Sequence, residues 1–381
     1  MPAAYIYRTR RTPFGRFNGA LAEVRPDDLA AQVVGDVLAG VDGARVDEIV
    51  LGNANGAGED TRNVARMAGL LAGLPVSVPA VTVNRLCGSG LDAVMLASRS
   101  IETGDAEMVV AGGVESMTRA PWVMMKPVPA RDATLVSTTL GWRLVNQKLP
   151  AEWTVSLGEA NEQLQERFSI SRERQDEFAL RSHRLAQQAW DEGFYDELVT
   201  PVGELARDEG IRASSSLEKL ASLKPVFRPG GTITAANASP LNDGASAVLV
   251  GSDRIGLVPQ ARIAGRAAHA CEPQMFGYAP VVAAEKALKR AGIGWSDVGA
   301  VELNEAFAVQ ALACIDAWDV DPEIVNLRGG AIAIGHPLGA SGGRLVGTLA
   351  AILAERGERW GVAAICIGVG QALAVVLENV Q

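Results

Sequence analysis

Three residues in this chain are of types that move acyl groups and protons, and each lies where small residues crowd the sequence. Cys87 stands in "VNRLCGSGLDAV", His336 in "GGAIAIGHPLGASGGR" and Cys366 in "WGVAAICIGVGQ". Cys87 sits between an apolar strand-like run and a helix-like run that starts "GSGL". A helix N-terminus presents unpaired N–H groups and the positive end of a dipole. Both favour a thiolate and lower a thiol pKa from its reference of ~8.5. A lone cysteine is more often a small buried hydrophobe, but a buried thiol needs no glycines around it, whereas a thiolate that another molecule must reach does. His336 supplies an imidazole, the natural base for a thiol near neutral pH. Cys366 closes an apolar strand, and by itself reads as a core residue.

The other candidates are weaker. Cys271 and Cys314 read as structural. His183, on a charged helix, and His269, in "RAAHACEP", read as solvated or incidental. Asn304 and Glu305 in "LNEAFA" interrupt a strand-to-helix junction; they either cap the helix or hold a water in a site.

The elements that must position these residues follow an α/β pattern. "VDEIVLGNA", "PAVTVNRLC", "LDAVMLASRSIETG" and "AEMVVAGGVES" alternate apolar strand runs with a helical stretch. The last third repeats the pattern: "VGAVELNEAF" resembles "VDEIVLGNAN", and "GASGGRLVGTLAAILAERGERWGVAAICIGVGQ" resembles "GSGLDAVMLASRSIETGDAEMVVAGGVES". Leu51 and Leu303 are 252 positions apart, as are Gly90 and Gly342. An internal duplication places the Cys366 strand end opposite the Cys87 turn, so that Cys87, His336 and Cys366 converge if the halves pack as pseudo-symmetric partners. Between the halves, about 118–230, lies a different segment. It holds four of the seven tryptophans (Trp122, Trp142, Trp153 and Trp190). Its stretch "EANEQLQERFSISRERQDEFALRSHRLAQQAWDEGF" reads as two helices broken near "SIS", with Ser171 as an N-cap ahead of Arg174 and Gln175. A segment this long is expected to cover a site.

Composition narrows the function classes. The 381 residues are 48 % hydrophobic and 21 % charged, enough for two domains or one large one. A net charge of −9 argues against a nucleic-acid partner and an anionic membrane surface. No run approaches the ~20 apolar residues of a membrane span. The Arg-rich start "MPAAYIYRTRRTPFGRF" lacks a secretory apolar run and reads as an early strand, and "VLENVQ" carries no peroxisomal tripeptide. The four cysteines form no CxxC pair, so neither a zinc site nor a disulfide framework is expected. These features point to a cytoplasmic protein with free thiols.

Taken together, "RTPFGRFNGAL", "VNRLCGSGLDAV", "AGGVESMTRAP", "TITAANASPLNDGAS", "LNEAFA", "GGAIAIGHPLGASGGR" and "CIGVGQ" resemble, in order and over nearly the whole chain, the motifs of the thiolase family of acyl-CoA acyltransferases. The resemblance implies a five-layered α-β-α-β-α fold made of two duplicated halves. These are residues 1–117, completed by about 231–252, and residues 253–381, with 118–230 as an inserted loop domain over the CoA site. It implies Cys87 as the nucleophile that carries the acyl group, His336 as its activator and Cys366 as a second acid/base. Asn304 would position a water, and the N–H groups of Cys87 and Gly368 would form an oxyanion hole. For CoA it implies Arg212 near the adenine nucleotide, and Ser239, Leu241, Ala306 and Phe307 along the pantetheine channel. The implied chemistry is CoA-dependent cleavage of a 3-oxoacyl-CoA, or the reverse Claisen condensation, as in fatty-acid β-oxidation. No metal or organic cofactor beyond CoA as substrate is expected, and the partner is a second copy of the chain, in a homodimer or homotetramer.

Two stretches depart from the family pattern. In "VSLGEANEQL", Ser156 stands where acetoacetyl-CoA-specific members have histidine, Leu157 where methionine is usual and Ala160 where threonine is usual. In "QMFGYAP", Phe276 replaces a usual methionine and Tyr278 a small residue, which would reshape the acyl pocket. "CIGVGQ" and "GWRLVN" look more like degradative than synthetic members. The alternatives are an acetoacetyl-CoA-specific acetyltransferase, a 3-oxoacyl synthase type of condensing enzyme, disfavoured by the second cysteine and the missing second histidine, and a CoA-binding scaffold without catalysis.

Overall fold

The computed structural model describes residues 2–56, 58–126 and 134–381. Residues 127–133 of the intervening segment lie outside the described residues. The first stretch of chain runs through β1 (Tyr5–Arg11), β2 (Gly15–Arg16), α1 (Pro26–Val37), β3 (Glu48–Gly52), α2 (Val64–Leu71), β4 (Ala80–Val83), α3 (Ser89–Thr103) and β5 (Met108–Ser116). The intervening segment holds β6 (Trp122–Met124), β7 (Leu135–Ser137), α4 (Leu157–Phe168), α5 (Arg172–Asp191) and the short α6 (Leu217–Ala221). After it come β8 (Asn242–Gly251), β9 (Ala261–Ala270), α7 (Ala279–Ala291), β10 (Val298–Leu303), α8 (Ala308–Trp318), the short α9 (Ala331–Ile334), α10 (Leu338–Arg356), β11 (Trp360–Ile367) and β12 (Gln371–Asn379).

The main sheet is two copies of one pattern joined at an edge. From the joint outward, the first runs β1, β8, β5, β3, β4, and the second β9, β12, β11, β10. In both, two antiparallel pairings are followed by parallel ones. A single parallel bridge between Val301 and Val325 stands where the first copy has its β3–β4 pair. The copies meet only through Tyr5 and Ile6 of β1 against Arg262 and Ala261 of β9.

Strand alternation sorts the core into layers. On β5, Val109 and Ala111 face a central cluster, and Met108, Val110 and Val114 an outer one. On β12, Leu373, Val375 and Leu377 face the same central cluster, and Ala372, Ala374 and Val376 the opposite outer one. Helices α3 and α10 fill the middle, where Leu91, Val94, Leu345 and Leu349 are fully buried. Outside the first half-sheet lie α1 and α2, and outside the second α7 and α8. This is the expected α-β-α-β-α layering. A helix buried against a sheet on each side has no polar face to spare, which is why α10 is apolar or small over most of its length.

The intervening segment folds as the sequence pattern anticipates at α4 and α5. Their break is residues 169–171, and Ser171 Oγ accepts the Arg174 N–H at 3.3 Å. Two buried anchors fix it to the rest. Asp208 takes two hydrogen bonds from Arg11 (2.6 and 2.8 Å) and one from the Trp190 indole (3.0 Å). Glu162 on α4 accepts the N–H groups of Thr232 and Ile233, each at 2.9 Å. No helix among the described residues is long and apolar enough to cross a membrane.

The first turns of α3 and α10 touch backbone to backbone. A Cβ at Gly342 would lie 1.9 Å from the Leu91 nitrogen, and one at Gly90 or Gly113 within 2.3 Å of the Gly339 carbonyl oxygen. Gly342→Ala is therefore expected to cost about 3 kcal/mol, the upper range for overpacking, because no side chain can yield. The same methyl at Gly35, in α1 with nothing within 4 Å, should stabilise by about 0.5–1 kcal/mol. Urea unfolding of both variants checks this, and equal effects at the two sites would sink the close-packing argument.

Candidate active site

The glycine contact sets the positions of the reactive groups. Cys87 precedes α3, whose N-cap is Gly88, and Leu86 before it has φ 47°, an unfavourable angle for a branched side chain. Asn84 Oδ1 accepts the Leu86 N–H (2.9 Å), and Ser89 Oγ accepts the Arg85 N–H (2.8 Å), so the loop is held on both sides of the cysteine. The backbone N–H groups of Cys87 and Gly368 lie near the Cys87 sulfur and favour its thiolate.

Gly368 lies in the tight turn from β11 to β12, next to Val369 with φ 65°. A β-branched residue in the left-handed region costs about 1–3 kcal/mol and survives only where surrounding structure imposes it. Here the Cys271 N–H donates to the Gly370 carbonyl at 2.8 Å and pins the turn. Cys366 ends β11 fully buried, close enough to Cys87 for their charges to interact.

His336 follows Gly335, whose φ of 118° lets the chain turn against the Asn242 side chain. The His336 N–H donates to Asn242 Oδ1 (2.9 Å). Its Nδ1 lies 2.6 Å from Ser341 Oγ, which also lies 3.1 Å from the Pro337 carbonyl oxygen. A carbonyl only accepts, so the Ser341 hydroxyl donates to it and its oxygen accepts Nδ1–H. That assignment leaves the ring's lone pair on Nε2, as a base requires. Asn304 Nδ2 stands 3.4–3.5 Å from both ring nitrogens, and Asn304 Oδ1, fully buried, has no partner among the described residues. Glu305 points elsewhere, accepting from Ser182 Oγ (2.7 Å), Asn326 Nδ2 (2.7 Å) and the Ile332 N–H (3.1 Å). Of the two residues in "LNEAFA", one ties helices together and the other faces the imidazole.

Electrostatics departs from the expectation at Cys87. Burial pushes its thiol up to about 11, and the two backbone N–H groups offset only part of that. Desolvation outweighs the helix terminus because α3 begins two residues later and its dipole end is not aimed at bulk water. Burial likewise holds His336 down to about 3, with the Arg344 charge adding to it, and drives the Cys366 thiol well above its usual range. The resting site is therefore neutral thiol and neutral imidazole. Glu115, at the end of β5, binds the pieces together: it accepts the N–H groups of Ala54, Asn55 and Gly339, each at 3.0 Å. Burial lifts its carboxyl to about 7. Asn242, Ser341 and Glu115 were not singled out by sequence reasoning; no local pattern marks a residue whose partner is 94 or 224 positions away.

Of the channel candidates, Ser239, Ala306 and Phe307 come together. Residues 237–239 pair with 306–308 through the Ala238–Phe307 bridge, and the Ser239 N–H and Oγ donate to the Ala306 carbonyl at 2.9 and 3.1 Å. Leu241 accepts the Phe17 N–H through its carbonyl. Arg212 is exposed, and its backbone N–H donates to Nδ1 of His183 at 3.2 Å. His183 is thus buried rather than solvated, because α5 turns it inward, and burial holds it down to about 4. His269 is half-buried beside Lys286. Ser156 caps α4, accepting the Glu159 N–H at 3.1 Å, and Leu157 lies beside Gly368 and Leu86. Phe276 is buried in the outer core, Tyr278 stacks on Phe168 (ring centres 4.6 Å apart), and Cys314 donates to the Gly277 carbonyl between them. Cys271 lies half-buried near the carbonyls of Glu272 and Met275.

With this geometry established, comparison with known proteins is direct. Family models for the thiolase N-terminal and C-terminal domains match residues 4–254 and 257–379. The chain is 47 % identical to a beta-ketoadipyl-CoA thiolase of Acinetobacter baylyi over the full length of both. It is 46 % identical to the 3-oxoadipyl-CoA/3-oxo-5,6-dehydrosuberyl-CoA thiolase of Escherichia coli, again over both full lengths. The human mitochondrial 3-ketoacyl-CoA thiolase in complex with CoA superimposes with a TM-score of 0.94 at 35 % identity, covering 100 % of this chain and 98 % of that one.

Two tests follow from the local geometry. Ser341→Ala leaves Nδ1–H of His336 without a partner, at a cost of about 1–3 kcal/mol to any state in which the imidazole is charged. Alkylation of Cys87 by iodoacetamide at pH 7 should then slow about tenfold, with Ser341→Thr restoring it; an unchanged rate would remove Ser341 from the argument. His183 is depressed relative to its unfolded value of 6.5, so the unfolded chain binds the extra proton. Its contribution to stability is complete above pH 6.5 and is lost as pH falls toward 4. Between those limits His183→Gln should reduce the slope of stability against pH by up to about 1.4 kcal/mol per unit. Parallel curves for the two proteins would show that His183 does not titrate this way.

Proposed function

The chain belongs to the thiolase family and is a CoA-dependent acyltransferase that cleaves 3-oxoacyl-CoA; from that premise we propose how its residues divide the reaction and which acyl group it takes. The observation that carries the reading is the neutral thiol–imidazole site, with two backbone N–H groups near the sulfur and the lone pair of His336 on Nε2. Nε2 takes the Cys87 proton as the sulfur attacks C3 of the bound substrate. The N–H groups of Cys87 and Gly368 then receive the oxygen on that carbon. As the C2–C3 bond breaks, its electron pair passes to the acetyl-CoA enolate. The enolate oxygen is held by His336 and by a water on the free Oδ1 of Asn304. Cys366 delivers a proton to C2, and acetyl-CoA leaves. Free CoA, deprotonated by Cys366, attacks the acyl-Cys87 thioester and restores the thiol. Each preorganised donor in such a site contributes about 2.7–4 kcal/mol to the transition state. Neutral resting groups suit this cycle, since charge appears only where donors already wait.

CoA enters along Ser239, Leu241, Ala306 and Phe307 with its adenine nucleotide near Arg212, and the intervening segment covers it. Leu157, Phe276 and Tyr278 shape the acyl end. The steps use thiol, imidazole and amide groups of the chain, and the reading needs no organic cofactor besides CoA as substrate. We assign the acyl group a free carboxylate at its far end, because the two relatives named above act on 3-oxo derivatives of dicarboxylic acids. The product on Cys87 from 3-oxoadipyl-CoA would be succinyl. The reading extends to assembly: Trp122, Met125 and Leu140 are 64–67 % exposed, and β4 is a free sheet edge. Such surfaces are covered by a second copy in a dimer or tetramer. A reducing compartment, the cytoplasm, keeps both thiols available.

Thiolysis of 3-oxoadipyl-CoA, 3-oxohexanoyl-CoA and acetoacetyl-CoA, with Cys87→Ala as control, tests the assignment. The dicarboxylic substrate should show the highest kcat/KM, and the control should lose at least about 1,000-fold on all three. Preference for acetoacetyl-CoA would instead make the protein an acetyl-CoA acetyltransferase, and CoA binding without cleavage would make it a scaffold.

A further inference from the structure

Arg143, in the intervening segment, has no role in the reaction as described, and its surroundings are unusual for an arginine. It is half-buried, and Nη2 donates to Asn55 Oδ1 at 2.5 Å. Asn55 is a neutral amide, itself buried. Among the described residues no carboxylate lies within ion-pair distance of Arg143; the half-buried Arg8 and Arg66 lack one too but donate to backbone carbonyls, whereas the partner of Arg143 is a side-chain amide. Glu115 is near enough to act on Arg143 through space, but its oxygens are taken by three backbone N–H groups. Burial disfavours the charge on Arg143. A guanidinium remains charged in proteins, so this one is partly desolvated with only a neutral amide as its hydrogen-bond partner and the Glu115 charge acting through space.

Its location is tied to the nucleophile. The Asn55 N–H donates to Glu115, which acts electrostatically on Cys87. The neighbouring Ala54 carbonyl accepts from Asn84 Nδ2 (3.0 Å), and Asn84 Oδ1 accepts the Leu86 N–H. Arg143 is thus anchored on residue 55, whose backbone neighbour Ala54 is tied through Asn84 to the residue before Cys87. Leu144, directly after Arg143, has φ 53°; strained backbone of this kind is kept where it aims a group.

We propose that Arg143 is a specificity-determining residue that binds the free carboxylate at the far end of the acyl group carried on Cys87. The inference rests on the dicarboxylic substrate class proposed above and names the group that reads it. A planar guanidinium accepts a carboxylate through two parallel hydrogen bonds. A chain ending in methyl would leave that charge buried and unpaired, so the residue selects for one substrate class and against the other.

The test compares kcat/KM for 3-oxoadipyl-CoA with that for 3-oxohexanoyl-CoA, which has the same number of acyl carbons and no distal charge. Arg143→Met should lower the first about 10- to 100-fold, as expected for a lost charged hydrogen bond, and leave the second within about threefold. Arg143→Lys, which keeps the charge but not the fork, should fall between. Equal loss on both substrates would make Arg143 a structural residue, and retained preference in Arg143→Met would place the carboxylate elsewhere; either result overturns the proposal. If the unmodified protein shows no preference for the dicarboxylic substrate, the substrate class fails first. A preference in the unmodified protein that survives Arg143→Met leaves the class standing and sinks only the role of Arg143.

Discussion

The contact on which the site depends is the one between the first turns of α3 and α10. Gly52, Gly90, Gly113, Gly339 and Gly342 meet with backbone against backbone, at separations that a single Cβ would violate. Dispersion gains are small per atom pair and fall off steeply with separation, so two helices held apart by side chains would not substitute for this packing. The consequence is positional. Cys87 precedes one helix and His336 the other, so the distance between thiol and imidazole is set by how closely their backbones approach. The glycines around both residues are therefore a packing device, and the chemistry inherits its precision from them.

That precision matters because His336 and Cys366 are buried and Cys87 is half-buried, so little water reaches them. Burial raises the Cys87 and Cys366 thiols and depresses His336, so in the proposed reaction neither charge exists until Cys87 and His336 exchange a proton. Such a pair costs little to hold at rest, since a neutral buried group needs only its hydrogen bonds satisfied. When substrate arrives, charge develops beside fixed donors in a medium of low dielectric, where each donor counts for more than it would in water. Glu115 serves the same end from the side. Its three backbone hydrogen bonds join the loop after β3 to the start of α10, so the donors cannot drift apart as charge appears.

What the sequence disclosed and what it hid divide along sequence separation. Alternation along "AEMVVAGGVES" and "GQALAVVLE", the helical break at "SIS" and the repeat at an offset of 252 are local or periodic, and the strands, helices and paired half-sheets follow them. Cys87, His336, Cys366 and Asn304 stood out by residue type in glycine-rich settings. The supporting groups did not: Asn242 and Glu115 are ordinary polar residues until the fold brings a distant N–H to them, and Ser341, five positions from His336, is one more small residue in a glycine-rich run. His183 reads as solvated on a charged helix because α5 carries charge on most sides, and only the packing on α8 and α9 decides which side turns in. The helix-end argument for a lowered Cys87 pKa named a real term but not the larger one, since desolvation is a property of the assembled layers.

The division of labour between the layers and the intervening segment explains where selectivity must reside. Positions in the central layer answer to two sheets and a neighbouring helix at once, so a change there to suit a new acyl group disturbs the packing that sets the reacting distances. The intervening segment answers to fewer neighbours. It is anchored by Asp208 and Glu162, while stretches between the anchors carry exposed and half-buried side chains. A guanidinium such as Arg143 tolerates burial there, held by a neutral amide, because its cost falls on the free protein rather than on the catalytic geometry. A charge without an ion-pair partner in the core lowers stability with nothing to offset it; on the proposal above, the substrate supplies the missing carboxylate to Arg143.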